Sequence, residues 1–164
     1  MPTIQVNPAI SPAQLYAFYV RNNICEARYA PERAAEVLRH PSVIVAAFEA
    51  RTSPRASRDE EGDELVGIVR ALTDGLAAAI MELSVDLRYQ GAATEHRNGS
   101  LIEGDEAGLG ARLGAAMLAE LAARKVDFIS AYIVANCEEP FYEALGFKHN
   151  AGHLVYYIDR RPYV

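Results

Sequence analysis

Asn136-Cys137-Glu138-Glu139-Pro140-Phe141-Tyr142-Glu143-Ala144-Leu145-Gly146-Phe147 reads as a strand end, a short helix and a stop. Proline suits the first turn of a helix, where its missing N–H would have no partner anyway. Glycine just past the last turn supplies the left-handed backbone that ends a helix. The pattern predicts a helix over Pro140 to Leu145 capped by Gly146. It becomes specific beside Leu83-Ser84-Val85 running into Arg88-Tyr89-Gln90-Gly91, and beside a helix opening at Gly108-Leu109-Gly110.

The chain has 164 residues, 51% of them hydrophobic and 23% charged. That is the composition of one globular domain, and a single domain over 1–164 is expected. No apolar run approaches the ~20 residues of a membrane helix, and Met1-Pro2-Thr3-Ile4 lacks the pattern of a signal peptide. Cys25 and Cys137 suggest neither a disulfide framework nor metal-ligand spacing, so a cytoplasmic protein with free thiols and no membrane partner is expected. The net charge of -6 argues against nucleic acid, whose binding relies on neutralising phosphates. It mildly favours a cationic partner such as an amine.

Along the chain, Ile4 to Val6 is a strand candidate, and Ser11-Pro12 starts a helix with serine as cap. A second helix is predicted from Pro31 to His40. Val43, Ile44 and Val45 mark a strand over Ser42 to Glu49. Residues 51–63 have no apolar period and read as a loop. Strands are predicted over Glu64 to Leu72 and Leu76 to Leu87, joined by Thr73-Asp74-Gly75, a hairpin signal. Residues 92–107 read as an acidic loop. Leu109, Leu113, Met117 and Leu121 form a stripe along a helix ending near Lys125. Val126 to Ala135 and His153 to Asp159 complete the strands, the last carrying Leu154-Val155-Tyr156-Tyr157-Ile158. This order, with its central strands joined by hairpins, implies an α+β domain with a mixed, mostly antiparallel sheet flanked by helices.

Backbone N–H groups at a helix start, aided by the helix dipole, hold phosphate well. The backbone must be bare for the anion to approach, which calls for glycine. Gly108-Leu109-Gly110-Ala111-Arg112-Leu113-Gly114 fits that role. It is neither a dinucleotide fingerprint, since its third glycine comes one position late, nor a P-loop, since Gly-Lys-Ser/Thr is missing. Tight packing of a helix start on a sheet explains the same glycines equally well.

The surrounding residues resemble the GCN5-related N-acetyltransferases (GNAT). Leu83-Ser84-Val85 with Arg88-Tyr89-Gln90-Gly91 matches the family's strand end and the first half of its Gln/Arg-x-x-Gly-x-Gly/Ala loop, and Gly108-Leu109-Gly110 the second half. Leu65-Val66-Gly67-Ile68-Val69-Arg70-Ala71-Leu72-Thr73-Asp74-Gly75 matches an upstream V-G-x-x-R-x-x-T-D-G run. Phe141 to Phe147 matches an F-Y-E-x-L-G-F element. The resemblance covers about 43–91 and 108–158. It departs from the family in two places. Ala92 to Glu106 interrupts the glycine loop and carries Glu95, Glu103, Asp105 and Glu106 against Arg97. Such charge repels a pyrophosphate, so the insert is expected either to loop away, solvated and dispensable to the core, or to weaken the phosphate grip. Asn136 stands six residues before Tyr142, where the family often has seven.

What the resemblance implies is acetyl transfer from acetyl-CoA to a primary amine by direct attack, with the pantetheine arm entering a splay between the strand ending near Val85 and the strand from Val126. The cofactor-binding residues it implies are Leu83, Ser84, Val85, Gln90, Gly91, Gly108, Leu109, Gly110, Ala111 and Asn136. Backbone N–H groups of the Leu83–Val85 segment would steady the oxyanion. Tyr142 would protonate the departing thiolate as general acid, and Glu82 would be the base that deprotonates the amine. A water relay is the alternative to Glu82, and a half-buried packing aromatic the alternative to Tyr142. Tyr16, Tyr19, Arg21 and Tyr29 lie where the family shapes its acceptor pocket, and equally suit packing and surface roles. The acceptor is a small-molecule or peptide amine, and a homodimer is compatible with the reading. No metal is expected: His149 and His153 are separated by a turn, and Cys137 has no visible partner. The rival functions are a CoA-binding sensor or scaffold without turnover, and an acyltransferase for longer acyl groups.

Overall fold

The computed structural model describes residues 1–39, 43–50, 62–92 and 94–161. The elements are β1 (Thr3–Val6), α1 (Pro12–Arg21), a 3-10 turn (Cys25–Arg28), α2 (Pro31–Ala34) running into a second 3-10 turn (Ala35–Leu38), β2 (Val43–Glu49), β3 (Glu64–Thr73), β4 (Ala77–Val85), α3 (Leu87–Gln90), α4 (Leu109–Ala123), β5 (Phe128–Ala131) and α5 (Glu139–Ala144). The predicted loop at 51–63 lies outside the described residues up to position 61, as does His40 at the predicted end of the second helix.

The five strands form one sheet in chain order, β1-β2-β3-β4-β5. The first three pairings are antiparallel and β4–β5 is parallel, so the sheet is mixed as expected. Both faces are covered. On one, Val43, Val45, Ala47, Val66 and Val69 pack under the α4 stripe Leu109, Leu113, Met117 and Leu121. On the other, Ile44, Ala46, Phe48, Leu65 and Ile68 meet Leu15, Phe18, Tyr19 and Ile24. Double coverage is why β2 and β3 read as nearly continuous apolar runs rather than alternating ones. Ser11 caps α1 reciprocally with Gln14. Asp74 accepts the N–H groups of Leu76 and Ala77 at the hairpin tip, closing the predicted turn.

One irregularity positions the site. Arg70 pairs with Glu82 but Ala71 with Ile80, leaving Met81 as an extra residue in β4. A bulge of this kind bends its strand. The β4–β5 ladder reaches only to Ile80 and Ala131, so the strands part at the bulge.

Two expectations are corrected at the C-terminal end. The strand predicted over Val126 to Ala135 is only Phe128–Ala131. Beyond it the chain turns, and the Glu138 carboxylate takes the Val134 N–H that a strand partner would have taken. The strand predicted over His153 to Asp159 does not join the sheet: Leu154, Tyr156, Tyr157 and Ile158 are each more than 80% exposed. Strand propensity expresses itself only against a neighbouring strand, and among the described residues none pairs with this segment.

Candidate functional site

The parting of β4 from β5 faces the start of α4, as the resemblance requires, but the insert fills the gap instead of looping away. Gly99 donates its N–H to Asn22 O at 2.8 Å and accepts the Val85 N–H at 2.8 Å. A Cβ at Gly99 would lie 2.8 Å from Asn22 Cβ and 3.0 Å from Val85 O, so only glycine fits this crossing. Ile102 is buried in the main core. Asp105 then closes the insert onto α4: its Oδ1 accepts the Gly110 N–H at 2.8 Å and its Oδ2 the Ala111 N–H at 2.7 Å. Its carbonyl accepts the Gly108 N–H. The insert is therefore a packed part of the domain. The expectation of a solvated, dispensable loop fails because apolar Ile102 and two glycines, Gly99 and Gly104, sit among its acidic residues.

A carboxylate is bound by paired backbone N–H groups at the start of a 15-residue helix, so the Gly108-Leu109-Gly110-Ala111 segment holds an oxyanion, here supplied by its own chain. Leu109 itself turns inward and is buried in the core. Gln90 is also buried; its amide donates to Val85 O at 3.1 Å, and its Oε1 has no partner among the described residues. Gly91 ends α3 with φ of 100°. Behind them Asp86 caps α3 and pairs with Arg21 at 2.9 Å and Arg88 at 3.0 Å. Burial opposes the Asp86 charge, but the Arg88 and Arg21 contacts hold its carboxyl below the ordinary value. Asn136 lies outside this group, exposed on the turn before α5, with its N–H on Glu139.

Tyr142 is placed by α5. Its ring meets Phe141 and Phe147 edge-on, with centroids 5.3 and 5.4 Å away. Burial, then the nearby Glu138 carboxylate, pushes its phenol well above the ordinary tyrosine value. Tyr142 and Leu83 line one apolar cavity with Val69, Ile80, Met117 and Leu145. At about 10 Å³ it has room for no more than a water.

On the opposite face of β4, Glu82 collects three donors. Arg70 Nε reaches Oε2 at 2.6 Å, Tyr19 Oη reaches Oε2 at 3.0 Å and Ser84 Oγ reaches Oε1 at 2.9 Å. Burial would weaken the Arg70 charge, but Glu82 and Tyr19 outweigh it and raise its pKa. Glu26, on the 3-10 turn after α1, is raised by burial and then by Glu82. The structure thus gathers Glu82 and Tyr19, expected on the acceptor side, with Ser84, expected to bind the cofactor, whose hydroxyl turns to Glu82 instead. It adds Arg70 and Glu26, to which the sequence reading assigned no role. Arg70 stood inside the quoted upstream motif, directly paired with Glu82 in the hairpin register. Glu26 carried no signal.

No family model and no curated relative matches this sequence. Solved structures do. An acetyltransferase of the GNAT family from Streptococcus pneumoniae is similar over 98% of this chain and 100% of its own, with a TM-score of 0.64 and 20% identity. The ribosomal-protein-S18-alanine N-acetyltransferase of Escherichia coli is similar over 92% of this chain and 80% of its own, with a TM-score of 0.60 and 17% identity. An aminoglycoside 6'-N-acetyltransferase solved with coenzyme A is similar over 88% and 83%, with a TM-score of 0.55 and 17% identity. This chain has the fold of the GCN5-related N-acetyltransferases.

Proposed function

We propose that the protein is an acetyl-CoA-dependent N-acetyltransferase that acts on a primary amine by direct attack. The observation that carries this reading is the oxyanion held on Gly110 and Ala111 at the start of α4, beside the gap where β4 leaves β5. Coenzyme A presents a pyrophosphate, whose charge and oxygens suit the N–H groups that Asp105 now occupies. The acetyl thioester supplies the activated acyl group. Gly108, Gly110 and Ala111 would hold its phosphates, and Leu83 to Val85 would line its arm. Tyr142, kept neutral by burial, retains the proton that a departing thiolate needs. The carboxylates Glu82 and Glu26, with Arg70 and Arg161 as the nearby counter-charges, offer the acceptor side a partner for a cationic amine. Glu82 already accepts three hydrogen bonds, which favours a water relay over Glu82 as the direct base.

A second reading rests on the same contacts. The chain itself fills both the α4 N–H groups and the Val85 N–H, which suits a scaffold or sensor without turnover. Release of free CoA thiol from acetyl-CoA with a panel of small amines, polyamines, aminoglycosides and peptide N-termini separates the two. Turnover with any acceptor supports the transferase. A stability increase with acetyl-CoA but no thiol release supports the sensor, and no stability increase at millimolar acetyl-CoA overturns both.

A further inference from the structure

Glu138 ties together two segments far apart in sequence. Its buried carboxylate accepts the Ile102 N–H at 3.1 Å and the Val134 N–H at 2.9 Å. The neighbours of that junction are forced together, because Glu103 follows Ile102 and Cys137 precedes Glu138. Glu103 is in turn oriented by its own loop. Its Oε1 accepts the Glu95 N–H at 3.2 Å, its Oε2 accepts the His96 N–H at 3.0 Å, and His96 Nδ1 lies 2.7 Å from Oε1. As a result, one ligand atom each from His96, Glu103 and Cys137 lies within 4.8 Å of the others.

We propose that His96, Glu103 and Cys137 form a zinc site that fastens the insert to the turn ahead of α5. Imidazole nitrogen, carboxylate oxygen and thiolate sulfur together suit a borderline-soft ion, whereas calcium and magnesium take oxygen donors. Three protein ligands leave a fourth position for water. Around a tetrahedral zinc, ligand atoms stand about 3.3–3.7 Å apart. Reaching that spacing requires side-chain rotations that open the 2.7 Å His96–Glu103 contact and draw in Cys137. The N–H groups of Glu95 and His96 already fix the Glu103 carboxylate, the outer-shell support that metal ligands usually have. On binding, the Cys137 S–H bond breaks, its proton passes to solvent, and the thiolate lone pair forms the bond to zinc. His96 binds through the Nδ1 lone pair after releasing any proton held there. No electrons are transferred. Burial, then Glu103, Glu138 and Glu95, raise the Cys137 thiol. That negative surround disfavours a bare thiolate and attracts a divalent cation, and affinity should rise with pH as protons are released more readily.

The test uses the reduced, metal-free full chain. Zinc is titrated by calorimetry in two buffers of different ionisation enthalpy, and cobalt(II) by absorption. The expected result is one equivalent bound with micromolar or tighter affinity, proton release, and a thiolate-to-cobalt charge-transfer band in the near ultraviolet. Cys137→Ser should remove that band. His96→Ala and Glu103→Gln should weaken zinc by at least about tenfold, while the double variant His149→Ala/His153→Ala binds as the parent does. Hydrogen exchange should slow in the insert on zinc addition. Absence of saturable binding overturns the site. So does binding that keeps its spectrum in Cys137→Ser, which would place the metal on other surface side chains.

Discussion

The Asp105 carboxylate sits on the N–H groups of Gly110 and Ala111, at 2.8 and 2.7 Å, and so occupies the groups proposed above to hold a cofactor's phosphates. On the proposed function acetyl-CoA has to displace it, and apparent affinity then scales with the fraction of molecules in which the position is open. Asp105→Ala should therefore bind acetyl-CoA at least about tenfold more tightly. It should also lose about 1 kcal/mol of stability with the lost helix cap. Calorimetric titration and urea unfolding measure the two effects. Weaker cofactor binding would mean that Asp105 assists the site.

Ile102 anchors the insert in the core. Ile102→Ala should cost about 2–5 kcal/mol, as for other buried aliphatic truncations. A residue on a solvated loop would change stability by less than about 0.5 kcal/mol. Urea unfolding of the variant decides between them.

Tyr142→Phe preserves the packing against Phe141 and Phe147 but removes the phenolic proton. If Tyr142 is the general acid, kcat falls by about 10²–10⁴-fold with acetyl-CoA affinity unchanged. Because burial and Glu138 raise the phenol, its ionisation should limit the rate only above the ordinary tyrosine value of 10.0. A rate that declines between pH 8 and 9 in both proteins belongs to another group, and unchanged turnover in the variant would remove Tyr142 from the mechanism.

Arg70 and Glu82 are both largely buried, with side chains 12% and 7% exposed. Arg70→Met leaves a buried carboxylate without its counter-charge and should cost about 3–5 kcal/mol. Replacing both, as Arg70→Met/Glu82→Leu, should cost less than Arg70→Met alone, because no buried charge remains. A double-mutant cycle with equal, additive losses would show that the pair is not coupled.

Asp86 contributes to the acid limit of stability. Its pKa lies below the ordinary 3.8 when folded, held there by Arg88 and Arg21. A depressed carboxyl contributes stability that is fully present above its unfolded pKa and lost as pH falls through the folded value. Stability should thus decline below about pH 4 through this group. Asp86→Asn should be less stable than the parent at pH 7, the gap narrowing toward pH 2. An equal gap at both pH values would assign its effect to packing.

By itself the sequence determined the elements whose signals are local. Ser11-Pro12, Asp74-Gly75, the Leu109 to Leu121 stripe and Pro140 to Gly146 each carry a cap, a turn or a periodicity within a few residues, and the fold follows from their order. Only the tertiary structure decided what fills the site. The insert looks acidic and soluble because Glu95, Glu103, Asp105 and Glu106 dominate its composition. Its role depends on Gly99 reaching Val85, Ile102 reaching the core and Asp105 reaching α4, and none of these contacts has a sequence signature. The meeting of His96, Glu103 and Cys137 depends likewise on Glu138 bridging 36 residues. Leu154 to Ile158 shows the converse. Its strand propensity is plain in the sequence, but a ladder needs hydrogen-bonding partners, and only the three-dimensional arrangement supplies or withholds them.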